Sequence, residues 1–532
     1  MKLASKEDIR KVKTVQDIIE LCDPFLREGN AFAVNKIAIE VGLFNEDPTL
    51  ILYASSLLSV YSSNHEAIIT LIKKALLCLP RDENNEENNR ALNLIRGEIE
   101  IRLAGALMKA QQEKEAMTLF MDIVRRYPEL KVLVGEHLTG ILLDAGRPKE
   151  AETILKAWLE EGLSSANIYN NMGIALKNLN RSAESLPYYR KALEIEPNNR
   201  SIAFSYGISL LKCGQYEEGL KYFVDHETFA ADDLWWFLHD LPHLKQDDDV
   251  NNKHILFYQE QGLGDTLEFV RFLPALIARG AKITLAVPLA IKRLIQQSFP
   301  NIEVVLDKEL AQEPTRQKEF DFSCPIPDLP HIYGIKKDED IPAIVPYLRA
   351  TKEDIEKFAK LIDSTLQENH SSEEKKRLRV GIVWGGDRRY KAADIAADKR
   401  RSTSFAEMTE ALLPVEADIF NLQYDRKRVE VVSGASQPIY DLMDEVHDMA
   451  DTAALMENLD LIISVDTSPL HLAGALGRPV WLVNRWDSCW RWGEHGETSV
   501  WYPTMKIFRS QELSFKPILA QVGEALRNLT KI

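Results

Sequence analysis

From about residue 49 to 228 the chain reads as helical and repeats itself. Gly173 and Gly207, and Tyr189 and Phe223, recur 34 residues apart, and Gly146 anticipates Asn180, and Ala151 Ser185, at the same spacing. An earlier unit, roughly 97 to 130, carries Ala104, Ala116, Phe120 and Pro128 in equivalent places, and a weaker one, 49 to 82, ends in Ala75 to Pro80. A period of this length is one helix–turn–helix hairpin, which cannot bury its apolar face alone. Small residues at fixed positions let the two antiparallel helices approach, and bulky ones fill the space between successive pairs. Such hairpins stack into a solenoid with a concave groove suited to peptide or protein segments.

The pattern then changes. Trp235-Trp236-Phe237 is expected to cap the solenoid against the next domain, and Asp247 to Lys253 is a polar hinge. Beyond it strands and helices alternate. His254–Tyr258 reads as a strand, Gln259 to Asp265 as a glycine turn and Thr266 to Arg279 as a helix; Lys282–Val287 and Ile302–Leu306 are further strands. Pro325, Pro327, Pro330 and Pro342 predict an irregular section, and Thr351 to Lys376 a charged helix that bridges two domains. A new first strand, Arg379 to Trp384, opens a second half ending near Phe508. The predicted organisation is a helical extension (1–48), helical repeats (49–233), a linker or cap (234–252), a first Rossmann-like domain (253–350), a connecting helix (351–378) and a second Rossmann-like domain (379–532). Two such units imply a cleft between them.

Within the second half, Leu461 to Pro479 forms one compact strand–helix unit. Leu461 to Val465 is rich in β-branched residues; Ser468 suits the N-cap, Pro469 the first helical position and Gly477 the end, and Pro479 blocks continuation into the strand Val480 to Val483. Free backbone N–H groups and a positive dipole end then lie beside Asp466, Thr467 and Ser468, a ready anion site at the carboxyl edge of a parallel sheet. His471 falls in the first turn, with Gly474 and Ala475 allowing close approach. Elsewhere, Gly262 and Gly264 give only an incomplete Gly-x-Gly-x-x-Gly, so a dinucleotide fingerprint fails.

Charge and cysteine usage exclude several classes. With 65 Lys and Arg against 81 Asp and Glu, the net charge of −16 argues against a nucleic-acid binder. Five scattered cysteines with no Cys-x-x-Cys pair indicate neither a disulfide framework nor a zinc site, which fits a reducing cytoplasm. The first residues contain no apolar core of a leader, and no apolar run reaches the ~18 residues of a membrane span. No Asp-x-Asp motif flanked by a nucleotide fold appears, so no metal is expected.

Two resemblances sharpen this reading. Tyr188 to Asn199 closely resembles the tetratricopeptide repeat. Asp466-Thr-Ser-Pro-Leu-His-Leu-Ala473 resembles the donor-binding signature of the heptosyltransferase-like glycosyltransferases, family nine and relatives. In that family the segment opens a helix under the sugar-nucleotide diphosphate. The resemblance spans about residues 253 to 510 and implies a GT-B architecture, with acceptor bound mainly by the first half and donor by the second. Gly262-Leu-Gly264-Asp265 resembles the family's acceptor-side turn, which makes Asp265 the proposed general base, although it is also placed to cap the next helix. Trp384-Gly385-Gly386 resembles its Trp-Ala/Gly-Gly element, where glycines let amides approach a ligand. Arg388, Arg389, Lys391 and Lys399 to Ser402 could neutralise a departing nucleotide; Arg401-Ser402 matches the repeat-bearing relatives. Many heptosyltransferases have Lys-Trp-Pro there, so ADP-heptose specificity does not carry over. Asn421-Leu-Gln423 resembles a segment lining the nucleotide pocket, and His447 to Ala453 resembles Asp-Phe-Ala-Asp-Thr-Ala, with Asp451 as cap and ribose or base contact. Trp490-Arg-Trp492 and Trp501-Tyr-Pro503 resemble downstream elements, but Cys489 replaces the aspartate that precedes the first.

The chain is thus expected to be an inverting, metal-independent glycosyltransferase that moves a sugar from a nucleotide-activated donor to a protein held partly by the solenoid. The resemblance to repeat-bearing enzymes of flagellated bacteria suggests flagellin as acceptor and a nonulosonic acid as sugar. Transfer to lipopolysaccharide or capsule, and a non-catalytic scaffold, are the alternatives; a dimer is left open.

Overall fold

The computed structural model describes residues 6–27, 29–62, 64–80, 86–224, 235–369, 377–386, 398–424 and 439–530. The chain divides into two compact units.

The first unit, built chiefly from residues 1–176 and 187–198, is all helical. Successive helices Ala31–Phe44, Pro48–Tyr61, His65–Cys78, Glu86–Lys109, Glu113–Arg126, Lys131–Asp144 and Pro148–Glu160 lead to Ala166–Asn178. Sequence sets their starts. The side chains of Asn30, Asp47 and Asn64 accept hydrogen bonds from the N–H groups of Ala33, Thr49 and Ala67, satisfying donors that a helix start leaves open. The 34-residue pattern has the expected steric basis. A Cβ on Gly173 would lie 2.6 Å from the ring of Tyr189, so only glycine lets the two helices of that repeat close over the tyrosine. Ile101, Ala104, Phe120, Ala151 and Met172 share one buried cluster, and Ile37, Ile51, Leu58 and Ile72 another.

The second unit comprises residues 177–186, 199–387 and 399–532. It begins with the helices Arg200–Lys212 and Tyr216–Val224, and Leu211, Tyr216, Leu220 and Phe223 belong to the same core as Ile255, Phe257 and Leu329. The last repeat hairpin therefore shares its core with the α/β part. Trp236 and Phe237 bury themselves against Leu256, Tyr258, Ala286, Leu310 and Phe320 of that part.

The α/β part contains two parallel sheets. The first consists of β1 (His254–Tyr258), β2 (Lys282–Val287), β3 (Glu303–Leu306) and β4 (Phe322–Pro325) in the order β3-β2-β1-β4. The second consists of β5 (Leu378–Val383), β6 (Ala417–Asn421), β7 (Ile439–Tyr440), β8 (Leu461–Ser464), β9 (Val480–Asn484) and β10 (Met505–Arg509) in the order β10-β9-β8-β5-β6-β7. Strands β1, β6 and β8 are buried along their whole length, as a parallel sheet covered on both faces requires. The fold is thus a helical repeat region followed by two Rossmann-like halves. Each strand order reverses once, between β1 and β4 and between β5 and β8. Loops leaving the carboxyl ends of strands at such a reversal leave a crevice where ligands bind.

Two local expectations change. The helix after the glycine turn starts at Leu263 rather than Thr266, runs to Phe269, and continues as Leu273–Ala278 after a 3₁₀ turn, Val270–Phe272. The proline-rich section supplies a strand, β4, at the edge of its sheet, where Pro325 costs no ladder bond to a further neighbour. The bridging helix is described as Lys352–Asn369, and the rest of its expected range, 370–376, lies outside the described residues. Among the described residues no helix is long and apolar enough to cross a membrane.

Candidate functional site

At the second reversal, β8 runs through Val465 and Asp466 into the helix Ser468–Ala475. Thr467, extended at φ −145° and ψ 171°, is the N-cap, so Ser468 and Pro469 are already helical and Ser468 is not the cap. Thr467 Oγ1 turns back toward the Val465 carbonyl, 3.3 Å away, and no side chain caps the helix start. Its dipole end faces the carboxyl edge of the sheet beside Asp466. Gly477, at φ +70°, ends the unit in the left-handed region as expected of a C′ glycine.

His471 is buried in the first turn. Its Nδ1 shares a 3.0 Å hydrogen bond with the Tyr502 hydroxyl, Nε2 lies 3.8 Å from Asp466 Oδ1, and its ring sits over Trp492 with centroids 5.5 Å apart. Burial, reinforced by the Arg491 and Arg271 cations, pushes its pKa down to about 3. His471 is a neutral imidazole at neutral pH and supplies a hydrogen bond rather than a charge.

The loop at the first reversal meets this helix directly. A Cβ on Gly264 would lie 2.8 Å from His471 Cδ2, so the absence of a side chain is what brings the turn after β1 onto the helix after β8. Asp265, the third residue of its helix, accepts the Gly262 N–H on Oδ2 at 2.9 Å and an Arg491 N–H on Oδ1 at 2.5 Å. It therefore both caps its helix and faces the opposite half. Arg491 also donates to Glu268, one turn on, which is fully buried. Burial raises the Glu268 pKa to about 7, against the pull of Arg491 and Arg271, and its Oε1 makes no hydrogen bond among the described residues. Buried Arg271 donates to the Trp501 carbonyl at 2.6 Å and to the Tyr347 hydroxyl at 2.9 Å.

The remaining predicted residues divide. Gln423 is locked beneath the end of β5: its Oε1 accepts the N–H groups of Trp384 (3.2 Å) and Gly385 (3.0 Å), and its Nε2 donates to the Gly385 carbonyl at 3.0 Å. The Gly386 N–H donates to Ser402 Oγ at 3.1 Å. Three amides expected to meet a ligand are thus taken by side chains. Trp384 is fully buried against Phe405. Arg401 is partly buried beside Ser402. Asp451 departs from expectation. Asp448 is the N-cap of helix Met449–Glu457, and Asp451, its third residue, accepts the His447 N–H at 3.0 Å and binds Arg293 Nη2 at 2.6 Å. Only 4% exposed, Asp451 ties helix Leu289–Ser298 to the second half through Arg293. Arg388, Arg389 and Lys391 lie outside the described residues.

Glu268, Arg271 and Arg485 do not stand out in the sequence, and Arg491 does so only as the centre of Trp490-Arg491-Trp492. Asp265 and Glu268 stand three apart, a spacing that puts two carboxylates on one helix face, and that signal could have been read. Arg491 could not be matched to them, because its partners are more than 220 residues away in sequence. For metals, His243, Cys324 and Asp328 are the one described trio with ligand atoms within 4.8 Å of one another, and His243 Nε2 already shares a 3.0 Å hydrogen bond with Asp328.

Similarity to known proteins falls on both parts of the chain. Residues 166–199 match the tetratricopeptide repeat model, and residues 423–485 match glycosyltransferase family 9 (heptosyltransferase). Protein FlbA of Caulobacter vibrioides is 24% identical over 450 residues, covering 74% of this chain and 72% of its own. Among solved structures, E. coli ADP-heptose lps heptosyltransferase II is 13% identical with a TM-score of 0.35, covering 52% of this chain and 100% of its own. A family 9 glycosyltransferase from Veillonella parvula is 12% identical with a TM-score of 0.35, covering 53% and 95%. The chain thus combines a tetratricopeptide-repeat match at residues 166–199 with a segment at residues 423–485 that is similar to glycosyltransferase family 9.

Proposed function

We propose that the chain transfers a sugar from a nucleotide-activated donor to a protein acceptor, with the donor's phosphate at the start of helix Ser468–Ala475 and the acceptor hydroxyl at Asp265. The observation that carries this reading is the meeting of the two sheet reversals, Gly264 against His471 and Asp265 against Arg491. Asp265 takes the acceptor proton as the hydroxyl attacks the anomeric carbon, with inversion there, and Arg491 holds the carboxylate in place. Neutral His471 positions the donor by hydrogen bonding, while Arg401 and the helix start offset the charge developing on the leaving nucleotide without an obligatory metal ion. The repeats favour a protein acceptor over a lipopolysaccharide one; flagellin, a nonulosonic acid donor and a cytoplasmic setting complete the proposal.

Thermal unfolding with UDP, GDP, ADP, CMP and dTDP at about 1 mM tests it. A nucleotide at about a hundred times its dissociation constant adds roughly 2.7 kcal/mol to stability. One nucleotide is expected to raise the midpoint, and His471→Ala to remove the shift. A folded protein that responds to none would favour the scaffold.

A further inference from the structure

A second group of charges lies at the same sheet edge, in the turn that leaves β9. Arg485 and Asp487 come directly after Asn484, and Arg485 Nε stands 3.2 Å from Asp487 Oδ1 without the alignment of a hydrogen bond. In this turn Asn484 Oδ1, Arg485 Nε, Trp486 Nε1 and Asp487 Oδ1 are all buried and make no hydrogen bond among the described residues. Four such atoms in four consecutive residues are far above what a finished protein interior tolerates, and they indicate a site shaped for a polar ligand. Arg400 approaches the same aspartate, with Nε 3.4 Å from Asp487 Oδ2. Arg485 is also within electrostatic range of Asp466, which ties this turn to the proposed donor loop.

The helical part of the unit reaches into this turn. Asn180 donates to the Trp486 carbonyl at 2.6 Å, and the Ser182 N–H and hydroxyl both donate to Glu494, at 3.0 and 2.7 Å. These contacts bring in two lysines. Lys212 is enclosed, donating to the Lys177 carbonyl at 3.1 Å and Asn180 Oδ1 at 2.8 Å, with Glu494 3.7 Å away. The Lys177 side chain, at the end of helix Ala166–Asn178, makes no hydrogen bond or ion pair among the described residues, yet it is in electrostatic range of Lys212, Asp487, Arg485 and Arg400. Burial, then the neighbouring cations, hold Lys177 at about 8. Lys177, Lys212 and Arg485 therefore lie with Asp487 and Glu494 in a partly dehydrated space, where a lysine side chain without a partner is costly until an anion enters.

We propose that Lys177, with Arg485 and Arg400, forms an oxyanion pocket for the donor, so that the segment from Lys177 to Ser182 belongs to the donor site. The inference rests on the donor reading above and names the group recognised: the anionic oxygens of the donor, from its phosphates or from a carboxylate on its sugar. Lys177 is a positioning and binding residue here, and Lys212 and Glu494 set its place.

The test is calorimetric titration of the full chain and its Lys177→Gln and Lys177→Arg variants with inorganic pyrophosphate, the nucleoside diphosphate panel, CMP and a CMP-linked acidic sugar. If phosphates occupy the pocket, Lys177→Gln weakens pyrophosphate and nucleotide by about tenfold, as expected for one lost charge-assisted contact, and Lys177→Arg restores most of it. If the sugar carboxylate occupies it, Lys177→Gln leaves pyrophosphate and CMP unchanged and weakens only the CMP-linked acidic sugar. Either result supports the pocket. Unchanged affinity for every anion in Lys177→Gln, with nucleotide binding intact in the parent, overturns this inference and leaves the donor reading standing. A parent chain that binds none of these anions overturns both.

Discussion

The two sheet reversals are built alike and charged differently. At the first, the loop after β1 delivers carboxylates: Asp265 at the helix start and Glu268 one turn deeper. At the second, the loops after β5, β8 and β9 deliver an uncapped helix start and cations, Arg400 and Arg485 among them. The same strand–turn–helix geometry thus gathers carboxylates on one side and cations around an uncapped helix start on the other. Arg491 belongs in sequence to the second half and in charge to the first. It joins the two.

The largest effect is expected at that junction. Arg491→Met leaves Glu268 buried without its partner, and breaking a buried pair in this way costs about 3–5 kcal/mol. Chemical denaturation should show that loss, and adding Glu268→Gln should recover part of it; no recovery would mean that Arg491 acts by packing alone. Gly264→Ala comes next, because its Cβ would lie 2.8 Å from the His471 ring. We expect about 1–3 kcal/mol of destabilisation and a fall in transfer rate, since the loops after β1 and β8 must separate to accept the methyl group. An unchanged rate would show that the close approach is not needed for chemistry.

The smallest effect is a pH dependence of opposite sign on the two sides. His471 binds its proton near pH 6.5 when unfolded and only near 3 when folded, so its contribution to stability is lost as pH falls from about 6.5 toward 3. Glu268 binds its proton near 7 when folded and near 4.5 when unfolded, so it lowers stability as pH rises through that interval. Thermal midpoints measured across pH 3 to 8 should therefore lose their acid limb in His471→Asn and flatten between 4.5 and 7 in Glu268→Gln.

Much of this was legible in the sequence, where local rules act alone. The strand–helix–strand from Leu461 to Val483 arises from β-branched residues, a proline at a helix start and a glycine at its end, and only the cap moved by one residue, to Thr467. The 34-residue repeat gave the Gly173–Tyr189 contact through size alone. What sequence could not supply was pairing at a distance. Asp451 matches a motif, yet its role is decided by Arg293, 158 residues away. Gln423 matches a pocket segment, yet its amide is spent on the backbone of Trp384 and Gly385. The helix carrying Asp265 begins three residues early because that side chain reaches back to the Gly262 N–H, closing a turn that glycines alone would leave open.

The most direct test of the division between the two reversals is Asp265→Asn, assayed for both nucleotide affinity and sugar transfer once the responding nucleotide is known. The account predicts unchanged affinity and a transfer rate lower by about 10²–10⁴, the contribution of a positioned general base. Transfer that survives at near-parental rate, or a loss of nucleotide affinity equal to the loss of rate, would contradict it.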